Sequence, residues 1–228
     1  VSSTHPLAGP LAVLSPHLDD AALGCGRLLA AHPGAVVITL FAGRPPAGRA
    51  LTGWDRASGF ASGDDVVGAR RREDTAAMAA LGARPVWLDL LDAQYGGKED
   101  AGRCADALLE ALGPIGPGSV LIPLGLFHSD HVRARQAGLA ARERDRLGAD
   151  WYVYGDGLYR RLWGFERVAL RKLRGRGLTL DPVVPPRGPL AVKSAAVACY
   201  PSQRRALEAC GMPAGEHALE EETTWRLS

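Results

Sequence analysis

Short apolar runs of strand length alternate along this chain with longer stretches of helical character, and this alternation constrains the fold more than any other feature. The strand-like runs are Leu11–Ser15, Ala35–Phe41, Pro85–Leu90, Val120–Pro123 and Trp151–Tyr154. Between them lie Asp20–Ala31, Val66–Leu81, Glu99–Leu112 and Asp130–Leu147, each long enough for several helical turns. Such alternation predicts βαβ units and an α/β fold with a mostly parallel sheet. Ligands of open α/β sheets sit beyond the carboxyl ends of the strands. At 228 residues the chain can bury a full hydrophobic core, so a single domain over 1–228 is expected. The alternation weakens over 155–228, which reads as a small C-terminal β/α extension packed on the rest.

Two clusters of imidazoles and carboxylates fall at strand exits of this kind. His17, Asp19 and Asp20 directly follow the first run in Ser15-Pro16-His17-Leu18-Asp19-Asp20, and His128-Ser129-Asp130-His131 follows the fourth. A hydrolytic divalent centre takes its donors from neutral imidazole and carboxylate and keeps one position open for water. Adjacent aspartates do not easily do the same work, so one ligates while its neighbour faces the water. His17, Asp20 and His131 are therefore candidate metal ligands and Asp19 the candidate general base. His128 is the candidate proton donor or oxyanion stabiliser, and Asp130 the carboxylate that orients an imidazole through its second ring N–H. Capping offers another reading of single members, since Asp19, Asp20 or Asp130 could each cap a following helix. It leaves the histidines unexplained.

Composition removes several other classes. A formal net charge of +2 is too small to imply a nucleic-acid binder. The basic stretch Arg160, Arg161, Arg167, Arg171, Lys172, Arg174 and Arg176 reads as a solvated face flanking a hairpin. A Pro-rich connector, Asp181–Pro189, then leads into a helical tail from about Leu190. No apolar run approaches the roughly 20 residues that span a bilayer. Val1–His5 lacks the features of a signal peptide, and Cys25, Cys104, Cys199 and Cys210 show no CxxC spacing. A cytoplasmic chain with reduced thiols is expected. Gly24-x-Gly26 raises a dinucleotide fold, but these glycines lie inside a helix-like stretch and no third follows at the required spacing. Carboxylates also occupy the turn where phosphate would bind. Ala42–Asp65, rich in Gly, Pro and Arg, is too long for an ordinary connection, and with Trp54 and Phe60 it reads as a lid or substrate wall.

Together these motifs resemble the LmbE/PIG-L-type zinc-dependent N-deacetylases, which remove acyl groups from amino sugars. The resemblance rests on Pro16-His17-Leu18-Asp19-Asp20 followed by Leu23-Gly24-Cys25-Gly26, and on His128-Ser129-Asp130-His131. Arg70-x-x-Glu73, Leu81-Gly82, Lys193-x-x-Ala196 and Ser202-Gln203 follow in family order. It implies a Rossmann-like three-layer fold and a zinc ion held by His17, Asp20 and His131, for which iron(II) or cobalt(II) would accept the same donors. It further implies Asp19 as base, His128 as acid and hydrolysis of an N-acyl group, most simply acetyl. By position it assigns substrate contacts to Arg70 and Asp92, although Arg70, Arg71 and Arg72 also read as surface charge opening a helix. The implied partner is a small-molecule N-acyl amino sugar, in a glycoconjugate, thiol precursor or natural product, with no nucleic acid; a homo-oligomer is compatible. Two departures stand out. Ala21 occupies a position where the family usually has Glu, and Leu126 one where some members have Tyr. Oxyanion stabilisation then falls on the metal and His128, or on another tyrosine such as Tyr95 or Tyr159. The departures also keep open a non-catalytic metal- or sugar-binding member of the fold.

Overall fold

A computed structural model describes residues 7–159, 164–212 and 219–228. Its sheet has seven strands: β1 (Leu11–Ser15), β2 (Val36–Thr39), β3 (Arg84–Trp87), β4 (Ser119–Pro123), β5 (Asp150–Tyr154), β6 (Leu180–Val183) and β7 (Thr224–Leu227). They run in the spatial order β3-β2-β1-β4-β5-β7-β6. The first five are mutually parallel, whereas β7 pairs antiparallel with both β5 and β6. Connections from β1 lead away on one side to β2 and β3, and the chain then returns to β4 on the other. The loops after β1 and β4 thus diverge and leave a crevice at the topological switch point. Both His/Asp clusters sit at that crevice.

Helices cover both faces, giving the three-layer α/β arrangement expected from the alternation. They are α1 (Asp20–Ala30), α2 (Gly53–Ala57), α3 (Val66–Leu81), α4 (Ala101–Leu112), α5 (Ser129–Arg144), α6 (Phe165–Arg174), α7 (Leu190–Ala198) and α8 (Pro201–Ala209). Alternate strand residues feed the two halves of the core. Ala12, Leu14, Ile38 and Ile122 meet α4, α5 and α6, while Leu11, Val13, Val37 and Leu121 meet α1, α3, α7 and α8. Central strands buried on both faces read as continuous apolar runs, which is why the sequence marks them so clearly.

Two expectations for the C-terminal part need correction. The basic stretch is a solvated face as expected, but among the described residues it flanks no hairpin: Arg167, Arg171, Lys172 and Arg174 lie on the exposed side of α6, whose Ala169, Leu170 and Leu173 are buried. Arg160 and Arg161 lie outside the described residues. The tail is also not helical throughout, because Thr224-Trp225-Arg226-Leu227 forms β7. Its period-two pattern sends Trp225 and Leu227 into the core and Arg226 outward to Asp150 at 2.7 Å.

The glycines that resemble a dinucleotide fingerprint serve packing instead. A Cβ on Gly24 would fall 2.7 Å from the Tyr154 ring, and one on Gly26 would fall 2.8 Å from the Lys193 side chain. Their absence lets α1 lie directly on β5 and α7. Among the described residues no helix is long and apolar enough to cross a membrane. All four cysteines are free.

Candidate metal centre and active-site cleft

The turn after β1 is held by Ser15. Its Oγ donates to the His17 carbonyl at 2.6 Å and accepts the Ala21 N–H at 3.0 Å. Asp20 Oδ2 accepts the His17 N–H at 2.9 Å. With these bonds in place the helix start needs no cap from Asp19, which stands at the N-cap position of α1 without a side-chain capping bond. The capping explanation therefore fails for Asp19. Among the described residues its carboxylate has no hydrogen-bond partner, and it faces a pocket shared with Asp20, Trp54, His131 and Tyr159. Burial and the neighbouring Asp20 carboxylate push its pKa up to about 7.

His17, Asp20 and His131 come together although they belong to two motifs far apart in the sequence, at the starts of α1 and α5. His17 Nδ1 is 3.1 Å and His131 Nε2 is 3.2 Å from the same Asp20 oxygen, Oδ2. One donor atom from each of the three lies within 4.8 Å of the others. Each imidazole is oriented from behind by a carboxylate. His17 Nε2 is 3.1 Å from Asp130 Oδ2, and His131 Nδ1 is 2.5 Å from Asp156 Oδ1. This second ring contact fixes the tautomer that presents a lone pair to an ion.

Electrostatics favour a cation here. Burial opposes charge on His17, yet Asp92, Asp130 and Asp20 hold it well above the ordinary imidazole range. Burial likewise opposes charge on His131, but Asp20 and Asp156 raise it to about 9. Asp20, despite its burial, is held well below the usual carboxylate range by His131 and His17. A pocket that draws positive charge onto two buried imidazoles also suits a divalent ion, and two nitrogens with one carboxylate oxygen are borderline donors that fit zinc. His17, His128 and Asp130 form a second group close enough to hold an ion. That group is poorer, because Asp130 already accepts the Ala93 N–H at 3.0 Å and an ion pair from Arg133.

The remaining predicted residues surround this centre. His128 is the N-cap of α5, and its Nδ1 accepts the Asp130 N–H at 3.2 Å. A neutral His128 therefore carries its proton on Nε2. Burial, together with the positive potential of His17 and His131, lowers its pKa. Asp92 accepts from the Gln94 backbone and side-chain nitrogens, both at 2.8 Å. A cleft of about 160 Å³ opens over His17 between Trp54 and Tyr159, with Asp92, Gln94, His128 and Gln203 as its polar lining.

Arg70 is no surface charge. It is buried, pairs with Asp55 at 3.2 Å and donates to Tyr95 Oη and Ser58 Oγ. It also lines a small pocket beside His17 and Asp92. Tyr95 donates to Asp55 at 2.8 Å. The 42–65 segment is thus bolted to the site through a buried network, and it contains the short helix α2 with a Thr52/Asp55 capping box. Trp54 from that helix donates to Gln203 at 2.8 Å. Reading the sequence missed Asp156, whose other oxygen accepts the Gly125 and Leu126 N–H groups at 2.8 and 3.2 Å. The signal was available, since Asp156 follows the fifth strand as His17 follows the first.

A doubly wound α/β sheet thus brings two imidazoles and a carboxylate that could hold a metal ion to its switch point, beside an aspartate with no hydrogen-bond partner among the described residues. A family model described as PIG-L, GlcNAc-PI de-N-acetylase, matches residues 12–142, and the chain belongs to that family. Members are deacetylases, hydrolases acting on amides. Among solved structures, a deacetylase triple mutant of the teicoplanin biosynthetic pathway shares 27% identity at a TM-score of 0.75, over 96% of this chain and 98% of that one. The A40926 pseudoaglycone deacetylase shares 25% at 0.73, over 96% and 97%. The N,N'-diacetylchitobiose deacetylase of Pyrococcus horikoshii, 17% identical at 0.55 over 97% and 84%, shares the fold. No curated protein matches by sequence.

Proposed function

We infer that this protein is a zinc-dependent N-deacetylase acting on an N-acetylated amino sugar carried by a larger molecule. The observation that carries the reading is the meeting of His17 Nδ1, Asp20 Oδ2 and His131 Nε2 beside the free carboxylate of Asp19. The substrates named for the teicoplanin and A40926 enzymes support a natural-product glycoconjugate as the substrate class.

His17, Asp20 and His131 hold the ion, which when bound supplies Lewis acidity toward a water and the amide carbonyl. Asp19 takes the proton of the attacking water on its free carboxylate oxygen. The water oxygen adds to the carbonyl carbon, the C–N bond breaks, and the products are acetate and a free amine. His128 presents Nε2–H to the developing oxyanion, and the proton that Asp19 took from the water passes to the departing nitrogen. Asp130 keeps His17 in its tautomer, and Asp156 does the same for His131. Asp92 and Arg70 contact the sugar's polar groups, with Trp54 and Tyr159 as side walls. Tyr159, whose ring packs 5.0 Å from that of His131, is the substitute for the tyrosine absent at Leu126, since the Tyr95 hydroxyl is already engaged by Asp55 and Arg70.

The test is metal analysis of the purified protein together with amine release from N-acetylglucosaminides. Bound zinc near one per chain, activity lost on chelation and restored by zinc, and neither in His131→Ala is the expected result. Amine release unaffected by chelation would overturn the reading. A second outcome concerns the residue missed in the sequence. Asp156→Asn should weaken metal retention about 10- to 100-fold, measured by competition with a chromophoric chelator. An unchanged affinity would remove Asp156 from the centre.

A further inference from the structure

Three aromatic rings lead from the metal-centre imidazole out to solvent. The Tyr159 ring stands 5.0 Å from His131, Phe127 lies 5.4 Å from Tyr159 with the ring planes 31° apart, and Phe165 meets Phe127 edge-on at 5.8 Å. These are the separations at which aromatic rings attract one another. The inner ring is a wall of the cleft over His17. The outer two are left open, Phe127 at 59% and Phe165 at 41% exposure.

Phe127 is also the only non-glycine residue with positive φ among those described, at 58°. It is the centre of a three-residue turn closed by the His128 N–H donating to the Leu126 carbonyl at 2.6 Å. That backbone region is unfavourable for a bulky side chain and easy for Gly or Asn. If the turn served only to aim His128 into the cleft, a glycine or asparagine would do so with less strain and without an apolar ring in water. The ring itself therefore needs a role.

We propose that Tyr159, Phe127 and Phe165 form a stacking track that receives an aromatic aglycone attached to the amino sugar. The proposal rests on the amino-sugar reading of the cleft. The cleft over His17 takes a sugar residue, so the group joined to that sugar lies outside it, where the track begins. The track is a row of ring faces and edges whose outer two members are open to solvent. A rigid planar group gains contact there at little entropic cost, whereas a flexible chain would have to be ordered along it. The four cations on the exposed side of α6 offer a rival occupant, an anionic membrane surface.

The experiment compares naphthyl and methyl β-N-acetylglucosaminides by amine release. In parallel, calorimetry follows binding of naphthyl β-glucosaminide, which has no amide to cleave. Wild type should prefer the naphthyl substrate about tenfold in kcat/KM, mostly through KM, in line with the strength of aromatic pairs. Phe165→Ala and Phe127→Asn, the second keeping a residue that tolerates the turn, should each reduce that preference several-fold and weaken the calorimetric binding. Thermal melts confirm that the variants are folded. Equal handling of both glycosides by wild type, or a preference untouched in both variants, overturns the track. Sedimentation with phosphatidylserine vesicles that is lost in Phe165→Ala, without any naphthyl preference, replaces it with the membrane surface. Naphthyl glucosaminide binding that depends on Phe127 and Phe165 with no amine release from either substrate upholds the track and sinks the deacetylase reading instead.

Discussion

Asp19→Asn should lower kcat by at least about a hundredfold, the lower end of what a positioned general base contributes, while leaving bound metal unchanged. The separation of the two effects follows from geometry. Asp19 makes no hydrogen bond to His17, Asp20 or His131, so removing its charge leaves the donor set as it was. Asn is isosteric and cannot take the proton of water. The neighbouring Asp20→Asn is the contrasting case, because Asp20 Oδ2 is the atom on which both imidazole nitrogens converge. It should lose metal and turnover together. In Asp19→Asn, kcat and kcat/KM should fall in parallel, as they do when an interaction made only in the transition state is removed. Full turnover in that variant would exclude Asp19 as the base. A chain that binds sugars without cleaving them gives a different pattern: no amine release from wild type, and ligand affinity that survives the substitution.

What the sequence made legible follows from distance along the chain. The cluster of His17, Asp19, Asp20 and His131 is legible because three of the four lie within one short motif after a buried strand and the fourth lies at the start of the helix that follows another. The central strands are legible because burial on both faces keeps their interiors apolar, as in Leu11–Leu14, Val36–Ile38 and Val120–Ile122. Contacts that close over long separations have no such local trace. Trp54 reaches Gln203, 149 positions away, and this bond turns the 42–65 segment into a wall of the cleft. Arg70 reads as one of three consecutive surface arginines, and only the fold brings Asp55, Ser58 and Tyr95 around it. The Asp19 capping question was likewise undecidable from the motif, since the answer depends on Ser15 Oγ reaching Ala21 from the end of the preceding strand. The strand at the chain's end was masked by its shortness, four residues whose alternation has meaning only once β5 is there to pair with.

Lys193→Met should destabilise the protein by about 3–5 kcal/mol, the usual consequence of stripping one partner from a buried ion pair. For a chain of this size that is a fall in Tm on the order of 10 °C. Lys193 Nζ meets Glu222 Oε1 at 2.8 Å, with both side chains almost completely buried. The pair has a structural task that neither residue reveals alone. Helix α1 breaks at Cys25, whose φ and ψ of −143° and 30° are not helical. A break exposes N–H groups that need acceptors. Glu222 supplies them, accepting the Arg27 N–H at 2.7 Å through Oε1 and the Leu28 N–H at 3.1 Å through Oε2. Lys193 makes that carboxylate tolerable inside the core, and the missing Cβ of Gly26 gives its stem room to pass. Met keeps most of the stem's volume, so the loss isolates the charge. Adding Glu222→Gln to Lys193→Met should therefore recover much of the stability. The amide oxygen still accepts a backbone N–H, and no unpaired charge remains in the core. Urea unfolding of wild type, both single variants and the double variant closes the cycle. A double variant no more stable than Lys193→Met would mean that the carboxylate is not what Lys193 neutralises.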